Sequence, residues 1–132
     1  MAKRSPCTVL ALTTFLVLAR TATLSPHALL LESTPAGDTI VTAPSRVVLR
    51  FNGRLETRLS SVTLIGGPRQ MRVLLIKNEA APEQRDMLIY TLPPLEPGPY
   101  RVEWKALSVD GHITNGVLRF DVAAPPAASP ER

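Results

Sequence analysis

Tyr100-Arg101-Val102-Glu103-Trp104-Lys105-Ala106 alternates without a break: Tyr, Val, Trp and Ala fall on one side, Arg, Glu and Lys on the other. Successive side chains of an extended chain point to opposite faces, so this period of two predicts a strand with one dry and one wet face. Leu118-Arg119-Phe120-Asp121-Val122 repeats the pattern, with Leu, Phe and Val on its apolar side. Two such strands suit an antiparallel sheet packed on one face only.

Outward from this pair, the chain offers further short extended segments bounded by turn residues. Residues 29–31 are apolar and lead into Ser33-Thr34-Pro35-Ala36-Gly37-Asp38, a turn composition. Residues 39–42 make a brief strand ending before Pro44. Val47, Leu49 and Phe51 alternate with Val48, Arg50 and Asn52 as an edge or half-buried strand. Residues 59–65 and 71–76 flank the hairpin signal Gly66-Gly67-Pro68, and residues 87–92 are stopped by Pro93 and Pro94. No segment sustains an i, i+3, i+4 apolar stripe over a helix length. The expected fold is all-β: an immunoglobulin-like Greek-key β-sandwich or barrel of about seven short antiparallel strands.

The N-terminus has a different character. Lys3 and Arg4 precede a run from residue 9 to 19 that is apolar apart from Thr13 and Thr14. That order suits a secretory signal, and the run is well short of the roughly 20 residues that span a bilayer. Residues 1–26 are therefore expected to be a signal peptide. The small-x-small cleavage pattern is not met by Leu24-Ser25-Pro26, and a cut after Ala22 would put Arg20 where a small residue belongs. The sequence leaves the processing point, and an uncleaved anchor, open.

Loss of the leader would take Lys3, Arg4 and Arg20, lowering the basic residues from 15 to 12 against 11 acidic ones, so the charge falls from +4 to about +1. No concentrated basic patch with interleaved aromatics survives to favour nucleic acid. Cys7 would leave as well, excluding a disulfide framework, a thiolate zinc site and a cysteine nucleophile in the exported chain. Residues 27–122 are enough for one domain. Residues 123–132, with Pro125, Pro126 and Pro130 among small residues, are expected to be a disordered tail.

Two histidines are the candidate metal ligands. His112 closes Ser108-Val109-Asp110-Gly111-His112 between two strand-like segments, and His27 stands at a potential mature N-terminus. Asp110 and His112, two apart, would face the same way in a regular strand, although Gly111 makes a connecting loop the better location. A lone Asp-x-His of this kind is more often a hydrogen-bonded turn than a site. A cut before His27 would add an α-amine to its imidazole. Cu(II) can hold both nitrogens in their deprotonated form at neutral pH. His112 supplies a third nitrogen, and Asp110 an oxygen donor or an outer hydrogen bond. This nitrogen-rich set suits Cu(II) better than tetrahedral zinc. Cu(I) wants sulfur, and the two methionines beyond the leader, Met71 and Met87, lie in strand-like runs as core filler, so no Cu(I) site is expected.

Larger blocks carry a family resemblance. His27-Ala28-Leu29-Leu30-Leu31-Glu32-Ser33-Thr34-Pro35-Ala36-Gly37-Asp38 resembles the mature start of the CopC/PcoC/YobA family of periplasmic copper-resistance proteins. Ala43-Pro44-Ser45-Arg46-Val47-Val48-Leu49-Arg50-Phe51 is similar to its second block. The run from Leu95-Glu96-Pro97-Gly98 through Tyr100 and Trp104 to Asp110-Gly111-His112 is similar to its most specific one. Asn115-Gly116-Val117-Leu118-Arg119-Phe120-Asp121-Val122 resembles its closing strand. The resemblance implies that residues 27–122 are a CopC-like copper-binding domain with an immunoglobulin-like fold, exported to the bacterial periplasm. It implies a Cu(II) site made by the His27 amine and imidazole, Asp110 and His112. It also implies sequestration or delivery of copper without turnover, in some systems beside a CopD-type membrane importer. A monomer is expected. Family members often carry a glutamate just after the Phe of the second block, where this chain has Gly53 and, further on, Glu56. The methionine-rich loop of two-site members is absent.

Two other readings compete. An immunoglobulin-like interaction module could keep this fold without the metal, with Asp110 capping backbone N–H groups in a turn. An enzyme is the weaker alternative, because no nucleophile elbow or oxyanion loop accompanies His112.

Overall fold

The alternation in residues 100–106 is realised at the centre of the fold. The structure, a computed structural model, describes residues 27–126, so the expected leader and the end of the expected tail lie outside the described residues. The described residues form β1 (Leu30–Thr34), β2 (Thr39–Val41), β3 (Arg46–Phe51), β4 (Ser61–Gly66), β5 (Met71–Leu75), β6 (Met87–Thr91), β7 (Gly98–Leu107) and β8 (Ile113–Val122).

β7 and β8 pair antiparallel along their whole length, from Gly98↔Val122 to Leu107↔Ile113. Tyr100, Val102, Trp104 and Ala106 of β7 and Leu118, Phe120 and Val122 of β8 are all buried, while Arg101, Lys105, Arg119 and Asp121 face water. β4 pairs with the other flank of β7, and β5 with β4 through the Gly66-Gly67 hairpin. Gly67 has φ +75°, and a Cβ there would meet the Tyr100 hydroxyl, which donates to the Glu96 carbonyl at 2.7 Å. Only glycine allows both that backbone conformation and that approach. β2 completes a five-stranded sheet in the order β2-β8-β7-β4-β5.

The second sheet has the order β1-β3-β6. β3 is its central strand, not an edge. Val47, Leu49 and Phe51 are buried and face the first sheet, as are Leu88 and Tyr90 of β6. Burying a side chain of this kind stabilises by about 1.5–3 kcal/mol, so the two inner faces supply the main driving force. Phe51 meets Trp104 edge-on across the gap at 5.2 Å between ring centres.

The architecture departs from the expected one in several ways. There are eight strands among the described residues, and β2 runs parallel to β8, with Thr39↔Phe120 and Val41↔Val122 in register. β1 continues to Thr34, so the turn is confined to residues 35–38, where Asp38 N donates to Arg119 O and carries the chain from one sheet to the other. No strand pairs across the two sheets among the described residues, so the fold is a sandwich and not a closed barrel. The exposed side of β6 is covered by an irregular segment: Glu79 N donates to Ile89 O, and Asn78 Oδ1 accepts from Ile89 N. This removes an open edge without a further strand. Met71 packs against the core, but Met87 is half-buried in register with Arg50 and is not core filler.

β8 begins five residues earlier than its apolar alternation suggests. In its first half the inward positions are Thr114 and Gly116, while Ile113 and Val117 are exposed. Trp104 explains the inversion. Its indole occupies the space in which a Gly116 side chain would lie, and a Cβ there would collide with Cζ2 and Cε2 of the ring.

Two measurements test this account. Gly116→Val should destabilise by about 1–3 kcal/mol through overpacking, and less so in a Trp104→Leu background; urea denaturation of the four proteins reads the coupling. On β1, Glu32 forms a two-pronged ion pair with Arg50 at 2.8 and 3.0 Å. The hydrogen bond from Arg50, and then its charge, hold the Glu32 carboxyl below its ordinary pKa. A depressed pKa stabilises the folded state above the unfolded carboxyl's range, and that contribution vanishes as pH falls through the folded value. Glu32→Gln should therefore melt below the parent at neutral pH, with the gap closing on acidification. A gap independent of pH would rule the ion pair out as its source.

Candidate metal centre

His112 is the last residue of the β7–β8 connection, and its position is set by main-chain bonds. Gly111 N donates to Ser108 O at 2.9 Å, and Ser108 N donates to His112 O at 2.9 Å, closing the loop. Gly111 adopts φ +91°, a conformation that favours glycine. The Asp110 carboxylate turns back on this loop. Its Oδ1 accepts from His112 N at 3.2 Å and lies 3.3 Å from His112 Nδ1. The backbone hydrogen bond from His112 is the main reason that the Asp110 carboxyl is held below its ordinary range.

Asp110 and His112 therefore converge, as their spacing suggests, but through a tight turn. A carboxylate beside Nδ1 favours the tautomer with its proton on that nitrogen, which leaves Nε2 as the free donor.

His27 comes from a distant part of the chain, the first of the described residues. Its ring centre is 5.2 Å from that of His112, with the planes at 86°. Both side chains are exposed, so the pair lies on the surface at one end of the sandwich. Ala28, the next residue, is 1% exposed and fixes the chain in the core. Leu29 then forms a reciprocal pair with Asn52: Leu29 N donates to Asn52 Oδ1 at 2.8 Å, and Asn52 N donates to Leu29 O at 3.0 Å.

The same β3–β4 connection holds the His112 loop. Val109 N donates to Arg54 O at 3.1 Å, Leu55 bridges Ser108, and Glu56 N donates to Leu107 O at 2.8 Å. Leu55 is buried, and Ser60 Oγ accepts from Leu107 N while donating to Glu56 O. Glu56 thus enters the arrangement through its main chain. Gly53 faces open space, with nothing within 4 Å of where a Cβ would lie.

The structure brings His27 and His112 together and attaches Asp110 to His112. Among the described residues, no three His, Cys, Asp or Glu side chains gather closely enough to enclose an ion. Alternation alone treats Asn52 as the wet position of a strand. The available signal is its type: an asparagine at a strand end can use its side-chain carbonyl in place of a main-chain one.

Residues 30–123 match the family model of the CopC domain. Protein YobA of Escherichia coli (strain K12) is 34% identical over 97 residues, covering 73% of this chain and 78% of that protein. The crystal structure of CopC from Methylosinus trichosporium OB3b is similar at a TM-score of 0.65 and 31% identity, over 73% of this chain and 93% of that one. PcoC, a methionine-rich copper resistance protein from Escherichia coli, is similar at a TM-score of 0.59 and 31% identity, over 74% of this chain and 99% of that one. The chain belongs to the CopC family, the periplasmic, non-catalytic copper-resistance proteins that include PcoC and YobA.

Proposed function

We propose that the chain is a Cu(II) carrier whose ion is held by His27 and His112, with Asp110 fixing the His112 ring. The contact between the two imidazoles carries this reading. With metal–nitrogen bonds of about 2.0 Å, two ring centres each lie roughly 3 Å from a shared ion, and the 5.2 Å separation is compatible with that. A set of only two side-chain nitrogens is too small by itself. The α-amine of His27, freed by cleavage of the Pro26–His27 bond, would complete it as a main-chain donor. Residues 1–26 are then the signal peptide, residues 27–122 the copper domain and residues 123–132 a tail.

The chemistry of the set favours Cu(II). Nitrogen donors suit this ion, and among the described residues no sulfur is placed to hold Cu(I). Met71 pairs with Gly66 at the far end of the five-stranded sheet, and Met87 sits beside Arg50. Uptake and release proceed without turnover, for sequestration or for delivery to a membrane importer of the CopD type. We assign the two-sheet sandwich to the immunoglobulin-like Greek-key class on the same resemblance.

A second reading, an interaction module without metal, draws on the Asp110 carboxylate. Its hydrogen bond to His112 N would be needed by the turn alone.

Copper titration of the exported chain separates the two. A ligand bound only by the native state raises the unfolding midpoint, with a gain of about 2.7 kcal/mol at a hundredfold excess over Kd. For a chain beginning at His27, Cu(II) should give such a rise. His27→Ala, His112→Ala and one residue added before His27 should each weaken binding about tenfold or more, since each removes a donor or the chelate. Equal binding by all four rejects the site, and no rise in any favours the interaction module.

A further inference from the structure

We infer that Asn52 is the positioning residue that assembles this centre: its side chain takes the place of a main-chain carbonyl at the end of the β1–β3 ladder, so that the chain beyond it is free to reach the His112 loop. The register is Leu30↔Phe51, with a break between Leu30 and Glu32, so the ladder is irregular just where His27 must be held. One step beyond Leu30↔Phe51, the partners are Leu29 and Asn52. In a continued antiparallel ladder, Leu29 N would donate to the main-chain carbonyl of Asn52. Here it donates to Asn52 Oδ1 at 2.8 Å, while Asn52 N donates to Leu29 O at 3.0 Å.

That exchange has a consequence two residues on. The chain turns away from β1 after Asn52, and Arg54 O accepts from Val109 N at 3.1 Å while Leu55 bridges Ser108. If the ladder continued through main-chain groups, the residues after Asn52 would run alongside the segment that precedes β1 and lose the His112 loop. A turn at position 52 without a side-chain acceptor would leave Leu29 N to water, and the segment bearing His27 would be held only by Ala28 and the bond from Asn52 N to Leu29 O. An asparagine satisfies both demands. Residues 52–56 thus grip one histidine segment through a side chain and the other through the main chain.

The effect of Asn52 on copper rests on the function proposed above. When a binding-competent arrangement is only partly populated, the apparent Kd rises in proportion to the population lost.

The test uses the exported chain beginning at His27, with Asn52→Ala and Asn52→Asp. Asp keeps the acceptor in the same place. Without metal, the readouts are amide exchange at Leu29 and the NMR contact between the His27 and His112 rings. Asn52→Ala should lose both and Asn52→Asp should keep both, with unfolding midpoints close to the parent because the bond is exposed. With Cu(II) as the probe, Asn52→Ala should bind about tenfold more weakly, the effect of one lost hydrogen bond, with a changed Cu(II) electron paramagnetic resonance spectrum. Retention of the ring contact and of Leu29 protection in Asn52→Ala overturns the inference. If the parent itself fails to bind Cu(II), the proposed function falls and the metal-free readouts still decide the role of Asn52. Should Asn52→Ala not fold, Asn52→Ser, whose hydroxyl falls short of Leu29 N, takes its place with the same expected loss and the same overturning result.

Discussion

Phe51 and Trp104 meet edge-on where the two sheets face each other, and much of the molecule is arranged around that contact. Phe51 ends β3, and Trp104 stands near the end of β7 that leads to the His112 loop. The contact therefore sets the separation of the sheets directly behind the histidines. Room for the indole comes from Gly116, which leaves the neighbouring strand β8 bare of side chain at that point. Close-packed interiors resist displacement, so the ends of β3 and β7 hold a fixed relation, and the connections that spring from them inherit it.

The candidate centre is held unevenly as a result. The His112 loop is tied by its own turn, by the Leu55–Ser108 bridge and by main-chain bonds to Arg54 and Glu56. The His27 segment has the buried Ala28, one reciprocal pair with Asn52 and then β1. One half of the site is rigid and the other depends on few bonds. For the carrier role proposed above, that asymmetry would be useful: an ion could be released by loosening the weaker half while the sandwich stays folded.

What the sequence discloses follows from the range of each interaction. The alternation in β7 and in the second half of β8 is strictly local, and the observed faces agree with it. In the first half of β8 the pattern is hidden because the inward positions are small, for a reason that resides in Trp104 on another strand. The parallel pairing of β2 has no local signature at all; three residues carry no information about which neighbour they will meet. The Asp110–His112 relation is legible because it lies within one loop. The approach of His27 depends on the register of β1 against β3, and the importance of Asn52 depends on both that register and the path to Val109. Neither could be read from residue spacing.

The position of β8 has a consequence for the order of events in a new polypeptide. It is the last strand among the described residues, yet it lies between β2, which comes early, and β7. β2 has no edge to join until β8 is in place, and His27 has no second imidazole to meet until the same stretch has emerged. Contacts between such distant parts of a chain form late, because the intervening loop must first be closed at an entropic cost. Completion of the sheet and completion of the histidine pair thus both wait on residues 112–122, and a chain that has not yet presented them is without either.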